Sequence, residues 1–351
     1  MKMKFSSRRV ISLLLCLIIC LPLFGCGNKK PTQKMVYAMD TEMTLTAYGK
    51  NADEGLSAAE SVIKALDAKL DPENENSYAY LINHAGGEDV IVSSQVAEIL
   101  STAKDVYDKT GGALDLSVYP LYEAWGEFGK DTGVIPEKEE INKLRKLLNF
   151  GEMEITQFPG ETNYSVKLPK GTQISFGAVA KGYTADNAID AMRKAGVESG
   201  IISLGGNIQT LGLKPDGSNW VVAVEDPNNT GKYVGTLSVG ETAVVTSGTY
   251  QRFFEDEEGN RYHHLINPDT GKPAENGLLS VTIICEDGTM ADCLSTAMFI
   301  LGKDAAMTYW RDKGGFEMIM ITDDNKVICT SGLMEVFTLT NTDDYTREFA
   351  E

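Results

Sequence analysis

The chain has 351 residues, 42% of them hydrophobic, and a formal net charge of −18. Its size fits one large folded domain or two smaller ones, and no low-complexity tract argues for disorder. The acidic balance excludes nucleic acid as a partner and a basic face for anionic lipid, since both need clustered Lys and Arg. Any polyanionic ligand must therefore rely on local cations and metal.

The first segment reads as a leader rather than as fold. Lys2, Lys4, Arg8 and Arg9 precede an apolar run over residues 10–24, too short for an easy membrane span. The run ends Leu23-Phe24-Gly25-Cys26, which is similar to a bacterial lipobox. The expected organisation is a signal peptide over 1–25, a lipidated Cys26 with a polar tether to residue 34, and a catalytic domain over 35–345. Such a protein would be lipid-anchored at the extracytoplasmic face of a cell membrane; a plain signal peptide is the alternative. Of the cysteines beyond Cys26, Cys285, Cys293 and Cys329 show neither zinc nor Cys-x-x-Cys spacing and read as inert core thiols.

Residues 36–48 have the β-branched, partly alternating texture of a strand. Leu56, Ala59, Ile63, Leu66 and Leu70 recur at steps of three and four, one apolar helix stripe closed by Pro72. Val96, Ile99, Leu100, Ala103, Val106 and Tyr107 repeat the pattern up to Gly111-Gly112, where a helix should cap. Pro136 opens another helix with Ile141, Leu144, Leu147 and Leu148 on one face. Beyond residue 151 short strands dominate: 197–204, 220–225, 233–239, 243–246, 261–266 and 278–285, with 316–322 and 336–339 as the final ones. Helices are expected over 181–195, 289–301 and 303–313. Helices gathered early and strands late predict an α+β fold, with mixed or antiparallel sheets and packed helices in a single domain.

Several pieces carry chemistry. Asp292 and Thr296 stand four apart on a helix and so share a face, a carboxylate and a hydroxyl for one hard cation. Alone, Asp292 reads more readily as a dipole or cap residue near a helix start than as a metal ligand. In Gly177-Ala178-Val179-Ala180-Lys181-Gly182-Tyr183 the glycines allow close backbone approach and Lys181 offers a charge for phosphate. That loop is neither a Walker A nor a Rossmann motif. Thr110-Gly111-Gly112-Ala113-Leu114-Asp115 reads as a helix end, and Leu204-Gly205-Gly206-Asn207 and Thr246-Ser247-Gly248 as turns whose amides could face a ligand. His263 and His264 precede Leu265-Ile266-Asn267-Pro268; on a strand at most one ring faces a site. An imidazole's ordinary pKa suits proton transfer near neutral pH.

The order and wording of these motifs closely resemble the ApbE family, the FAD:protein FMN transferases. The resemblance implies Mg²⁺ bound by Asp292, Thr296 and the main-chain carbonyl of Ala178. It implies contacts to FAD from Met39, Ala113, Leu114, Asp115, Ser175, Lys181, Leu265 and Ile266, with residues 77–83 helping to line the flavin side. Where family members often carry Asp, this chain has Ser175. His264 and Asp292 become the catalytic pair, with Thr246 and Ser247 as neighbours. The implied reaction moves FMN from FAD to a Thr or Ser hydroxyl of an exported or membrane flavoprotein and releases AMP. FAD hydrolysis to FMN and AMP, or FAD binding without turnover, are the alternatives.

Overall fold

The computed structural model describes residues 30–126, 128 and 133–350. The expected signal segment and Cys26 lie outside them. Among the described residues, no helix is long and apolar enough to cross a membrane.

Nine strands form one large sheet: β1 (Thr32–Ala38), β2 (Thr41–Ala47), β3 (Gly200–Leu204), β4 (Asn207–Leu211), β5 (Ala243–Gly248), β6 (Leu278–Cys285), β7 (Glu317–Thr322), β8 (Lys326–Thr330) and β9 (Thr346–Ala350). Their spatial order follows the chain. Neighbours pair antiparallel except β8 and β9, which are parallel. The helices are α1 (Ala52–Leu70), α2 (Tyr78–His84), α3 (Ser94–Lys109), α4 (Tyr119–Ala124), α5 (Lys138–Leu144), α6 (Ala180–Lys194), α7 (Gly288–Leu301) and α8 (Lys303–Lys313).

Alternation along the strands sorts side chains to two layers. Val244, Ile319, Ile321 and Val327 pack against a second sheet made of Trp220–Glu225, Tyr233–Val239 and Phe337–Leu339. Their neighbours Ala243, Val245, Met318 and Met320 face the helices, in a core that also takes in α3, α7 and α8. The α1 stripe, Leu56, Ala59, Ile63, Leu66 and Leu70, is buried as its spacing requires. Since one core runs from Leu66 to Ile328, the early helices and the later strands form a single domain.

Several boundaries differ from expectation. The 36–48 strand is a hairpin, β1–β2, turned at Met39 and Asp40, which both take positive φ (51° and 56°). A two-residue turn of that hand usually selects Asn-Gly, so the local sequence hid it. The Met39 N–H donates to Asp67 Oδ1 at 2.9 Å, a contact 28 residues away that holds the turn. β1 also begins inside the expected tether, at Thr32, and β9 lies beyond the expected domain end at 345, so the folded unit runs from 32 to 350. β4, β8, β9 and the small sheet of Val90–Val92, Glu154–Gln157 and Tyr164–Lys167 escaped the sequence reading. Each is only three to five residues long, and several are polar. The single strand expected over 261–266 splits into Arg261–His263 and Ile266–Asn267.

Candidate active site

The site is built where α6 and α7 cross. Gly182 sits in the first turn of α6, where backbone N–H groups lack helical partners. Its N–H donates to Asp292 Oδ2 of α7 at 2.8 Å. In return Asp186 of α6 accepts the N–H groups of Gly288 (2.9 Å) and Thr289 (2.8 Å), and the Thr289 hydroxyl, at the start of α7. The two helices thus cap each other, each carboxylate satisfying the other's orphan donors. Burial pushes the Asp186 carboxyl up from its usual range, and the hydrogen bonds from Thr289, Gln209 and Gly288 pull it back. Only glycine permits this approach: a Cβ at 182 would lie 2.1 Å from Gly288 O, and one at 288 would lie 2.7 Å from Gln209 Oε1.

From this crossing opens a cleft of about 630 Å³, a size proper to a small-molecule site. Most of the positions singled out from the sequence lie on it: Met39, Ala113, Leu114, Asp115, Ser175, Ala178, Lys181, His264, Leu265, Ile266, Asp292 and Thr296. Asp292 is 4% exposed, and Thr296 stands one helical turn on, its hydroxyl 3.3 Å from Ser247 Oγ. Ser247 also meets Ser295 at 2.8 Å, and Ser295 donates to Asp292 O, so β5 and α7 are tied behind the carboxylate. The loop before α6 is held by Asn83, whose amide clamps both the N–H and the C=O of Ile174. Residues 77–83, expected along the flavin side, form α2 and its N-cap and do not line the cleft. They support the loop from behind. Ser175 Oγ accepts the Gly177 N–H at 3.2 Å, and Lys181 Nζ lies 3.4 Å from Gly177 O. Asp115 Oδ1 accepts from both the N–H and the hydroxyl of Ser117, capping the short helical turn that follows.

The histidine pair divides as its spacing requires. His263 is buried, its Nε2 3.1 Å from Ala274 O and its ring edge-on to Phe299. His264 reaches the cleft because the strand stops at residue 263. Its Nδ1 lies 3.1 Å from Arg252 O; a carbonyl only accepts, so Nδ1 carries the proton and Nε2 is the free base. The expectation of an ordinary imidazole pKa fails here. Burial, with the Arg252 charge next, lowers it to about 3. The neutral form of the ring is thereby favoured.

Other lining residues escaped the sequence reading: Arg252, Gln251 and Tyr119. Arg252 is a second cation beside Lys181, but it stands in no motif. Asn207 was visible only as the end of a Gly-Gly turn. Asp186 missed notice because its partner helix lies over 100 residues away in sequence.

Comparison with known proteins now bears on this geometry. Residues 39–320 match the model of the ApbE family. The chain belongs to the ApbE family. Relatives in it include a protein of Treponema pallidum, named FAD:protein FMN transferase, 30% identical over 93% of this chain and 94% of its own. Another of that name, from Klebsiella pneumoniae, is 33% identical over 80% of this chain and 86% of its own. Among solved structures, the ApbE protein of Thermotoga maritima superposes with a TM-score of 0.76 at 29% identity, covering 84% of this chain and 94% of its own. The flavin transferase ApbE of Vibrio cholerae gives 0.73 at 24% identity, over 88% and 96%, and shares the fold.

In this ApbE chain two glycines of one loop should respond oppositely to a methyl group. Gly182→Ala forces α6 and α7 apart and should cost about 1–3 kcal/mol. Gly177→Ala meets only Ser175 Oγ at 3.5 Å and should be nearly neutral. Urea unfolding of the two variants measures the difference; equal midpoints would mean the crossing is looser than described.

Proposed function

We propose that the chain is a magnesium-dependent FAD:protein FMN transferase, acting on a Thr or Ser hydroxyl of an acceptor flavoprotein. The observation that carries this reading is the convergence of Asp292, Thr296, Ala178, Lys181 and His264 on one cleft, in a chain of the ApbE family.

The charge of the cleft supports a metal. Asp40, Asp67, Asp71, Glu73, Asp115, Glu123 and Asp292 line it together with Lys181 and Arg252, so a diphosphate entering alone meets net repulsion. Among the described residues no group of three or more His, Cys, Asp or Glu could hold a metal. The donor set at hand is different: one carboxylate, one hydroxyl and one main-chain carbonyl. Such a sparse oxygen set fits Mg²⁺, which keeps waters and takes its remaining ligands from phosphate. Asp292, Thr296 and Ala178 would hold it, and when bound it supplies positive charge against the diphosphate.

The chain's own residues do the positioning. Lys181 and Arg252 offer charge to the phosphates. Leu114, Leu265 and Ile266 give the apolar surface a flavin ring requires. The acceptor oxygen attacks the phosphorus on the flavin side, forming a P–O bond while the bond from that phosphorus to the bridging oxygen breaks. The bridging oxygen leaves with AMP, and the hydroxyl proton passes to His264 Nε2. Phosphoryl transfer of this kind depends on placement and charge more than on a strong base, so a weakly basic imidazole suffices.

The decisive experiment incubates the protein with FAD, Mg²⁺ and a flavoprotein acceptor, then reads flavin fluorescence on a denaturing gel. A fluorescent acceptor band is expected. Free FMN and AMP without that band would instead establish hydrolysis. Asp292→Ala should remove the band while costing about 1 kcal/mol of stability from the lost cap; undiminished transfer would discard the metal assignment.

Because the free imidazole titrates near 3 rather than 6.5, it stays unprotonated as pH falls through the usual histidine range. The pH profile of kcat/KM for FAD should therefore show no acidic limb near 6.5, and His264→Ala should lower the rate about 10²-fold. An acidic limb at 6.5 that vanishes in the variant would overturn the tautomer and burial argument.

We also propose a lipid anchor at Cys26, which places the site on the extracytoplasmic face with exported acceptors. Cys26→Ala should release the protein from membranes with its catalysis in vitro unchanged; continued membrane fractionation would count against the anchor.

A further inference from the structure

Asn207 opens β4 immediately after a turn of Gly205 and Gly206, whose φ values are 59° and 97°. It is 2% exposed, and its Nδ2 is buried with no hydrogen-bond partner among the described residues. Buried amide donors almost always find a partner, so this one calls for an explanation.

Its direction follows from the strand. Ile208, paired with Val244 of β5, packs toward the second sheet. Asn207 and Gln209 therefore face the other way, toward the helices. Gln209 Nε2 reaches Asp186 of α6 at 2.7 Å, which fixes that side as the one where α6 and α7 cap each other. Ser247 of β5 touches α7 on the same side. Asn207 thus lines the same cleft as Asp292, Thr296 and Ser247.

We propose that Asn207 is a substrate-contacting residue whose Nδ2–H donates to a non-bridging oxygen of the bound dinucleotide's diphosphate. The proposal rests on the transferase reading above. It explains why a carboxamide is kept here: the ligand supplies the acceptor that the protein does not. A neutral donor also adds hydrogen bonding where the cleft already carries many carboxylates, without forming an ion pair with Asp292 that would compete for the metal.

Thermal melting of the full chain separates this role from a structural one. Asn207→Ala should melt no lower than the wild type without ligand, because it removes an unsatisfied buried donor. Its upward shift with FAD and Mg²⁺ should be clearly smaller, and kcat/KM should fall about 10²-fold. The same loss of shift is expected with ADP and Mg²⁺ as probe but not with riboflavin, which has no phosphate. Asn207→Asp keeps the shape and the acceptor oxygen but loses the donor, and should be at least as impaired as the alanine variant. Three outcomes would overturn the assignment: a lower ligand-free melting point with an unchanged FAD shift, a loss confined to riboflavin, or a wild-type FAD shift in Asn207→Asp. If the wild-type protein itself shows no shift with FAD and forms no fluorescent acceptor, the transferase reading fails first, and the two failures are told apart.

Discussion

The structure depends on a reciprocal contact between two helix starts. Asp292 satisfies a free N–H of α6, while Asp186 satisfies two of α7. Each helix end carries partial positive charge, and each is answered by a carboxylate from its partner. Because Gly182 and Gly288 meet without a Cβ between them, the crossing is close. The residue best suited to hold a cation is thereby fixed to two secondary elements at once. A carboxylate on a loop would have to be ordered at the moment of binding; this one is ordered by the fold.

That arrangement explains how a chain of net charge −18 can serve a polyanionic substrate. The cleft is not a basic patch. Two cations, a helix start and the oxygens of Asp292, Thr296 and Ala178 are concentrated in one cleft, which other carboxylates also line. Such a site discriminates by geometry. With the proposed metal in place, a loose anion would gain little from it, whereas a diphosphate able to complete the metal's coordination would gain a great deal. Leu114, Leu265 and Ile266 add apolar surface to the same cleft.

The cleft is lined by segments far apart in the chain, and each has its own support. Asn83 clamps Ile174 ahead of the lysine loop, Asp67 holds the Met39 turn, and Ser247 braces α7 through Ser295. The Met39–Asp40 turn takes a backbone conformation that side chains disfavour, and strain of this kind persists only where the surroundings over-determine it. A single core from Leu66 to Ile328 transmits these constraints, which is why early helices and late strands act as one unit.

Much of the fold was legible in local pattern. The apolar stripes of α1 and α3, the strand over 278–285 and the helix over 303–313 follow from periodicity, because a half-buried element must repeat its apolar residues at its own pitch. The motifs that pointed to the site were likewise readable, since metal, phosphate and proton transfer each demand particular side chains. What sequence could not supply was anything decided by partners distant along the chain. The turn at Met39 depends on Asp67, the short polar strands β4 and β9 on the sheet edges that receive them, and the role of Asp186 on a helix start over 100 residues away. The protonation of His264 is of the same kind. Residue type sets an ordinary imidazole, but burial and the neighbouring Arg252 are properties of the packed molecule, and they lower its pKa.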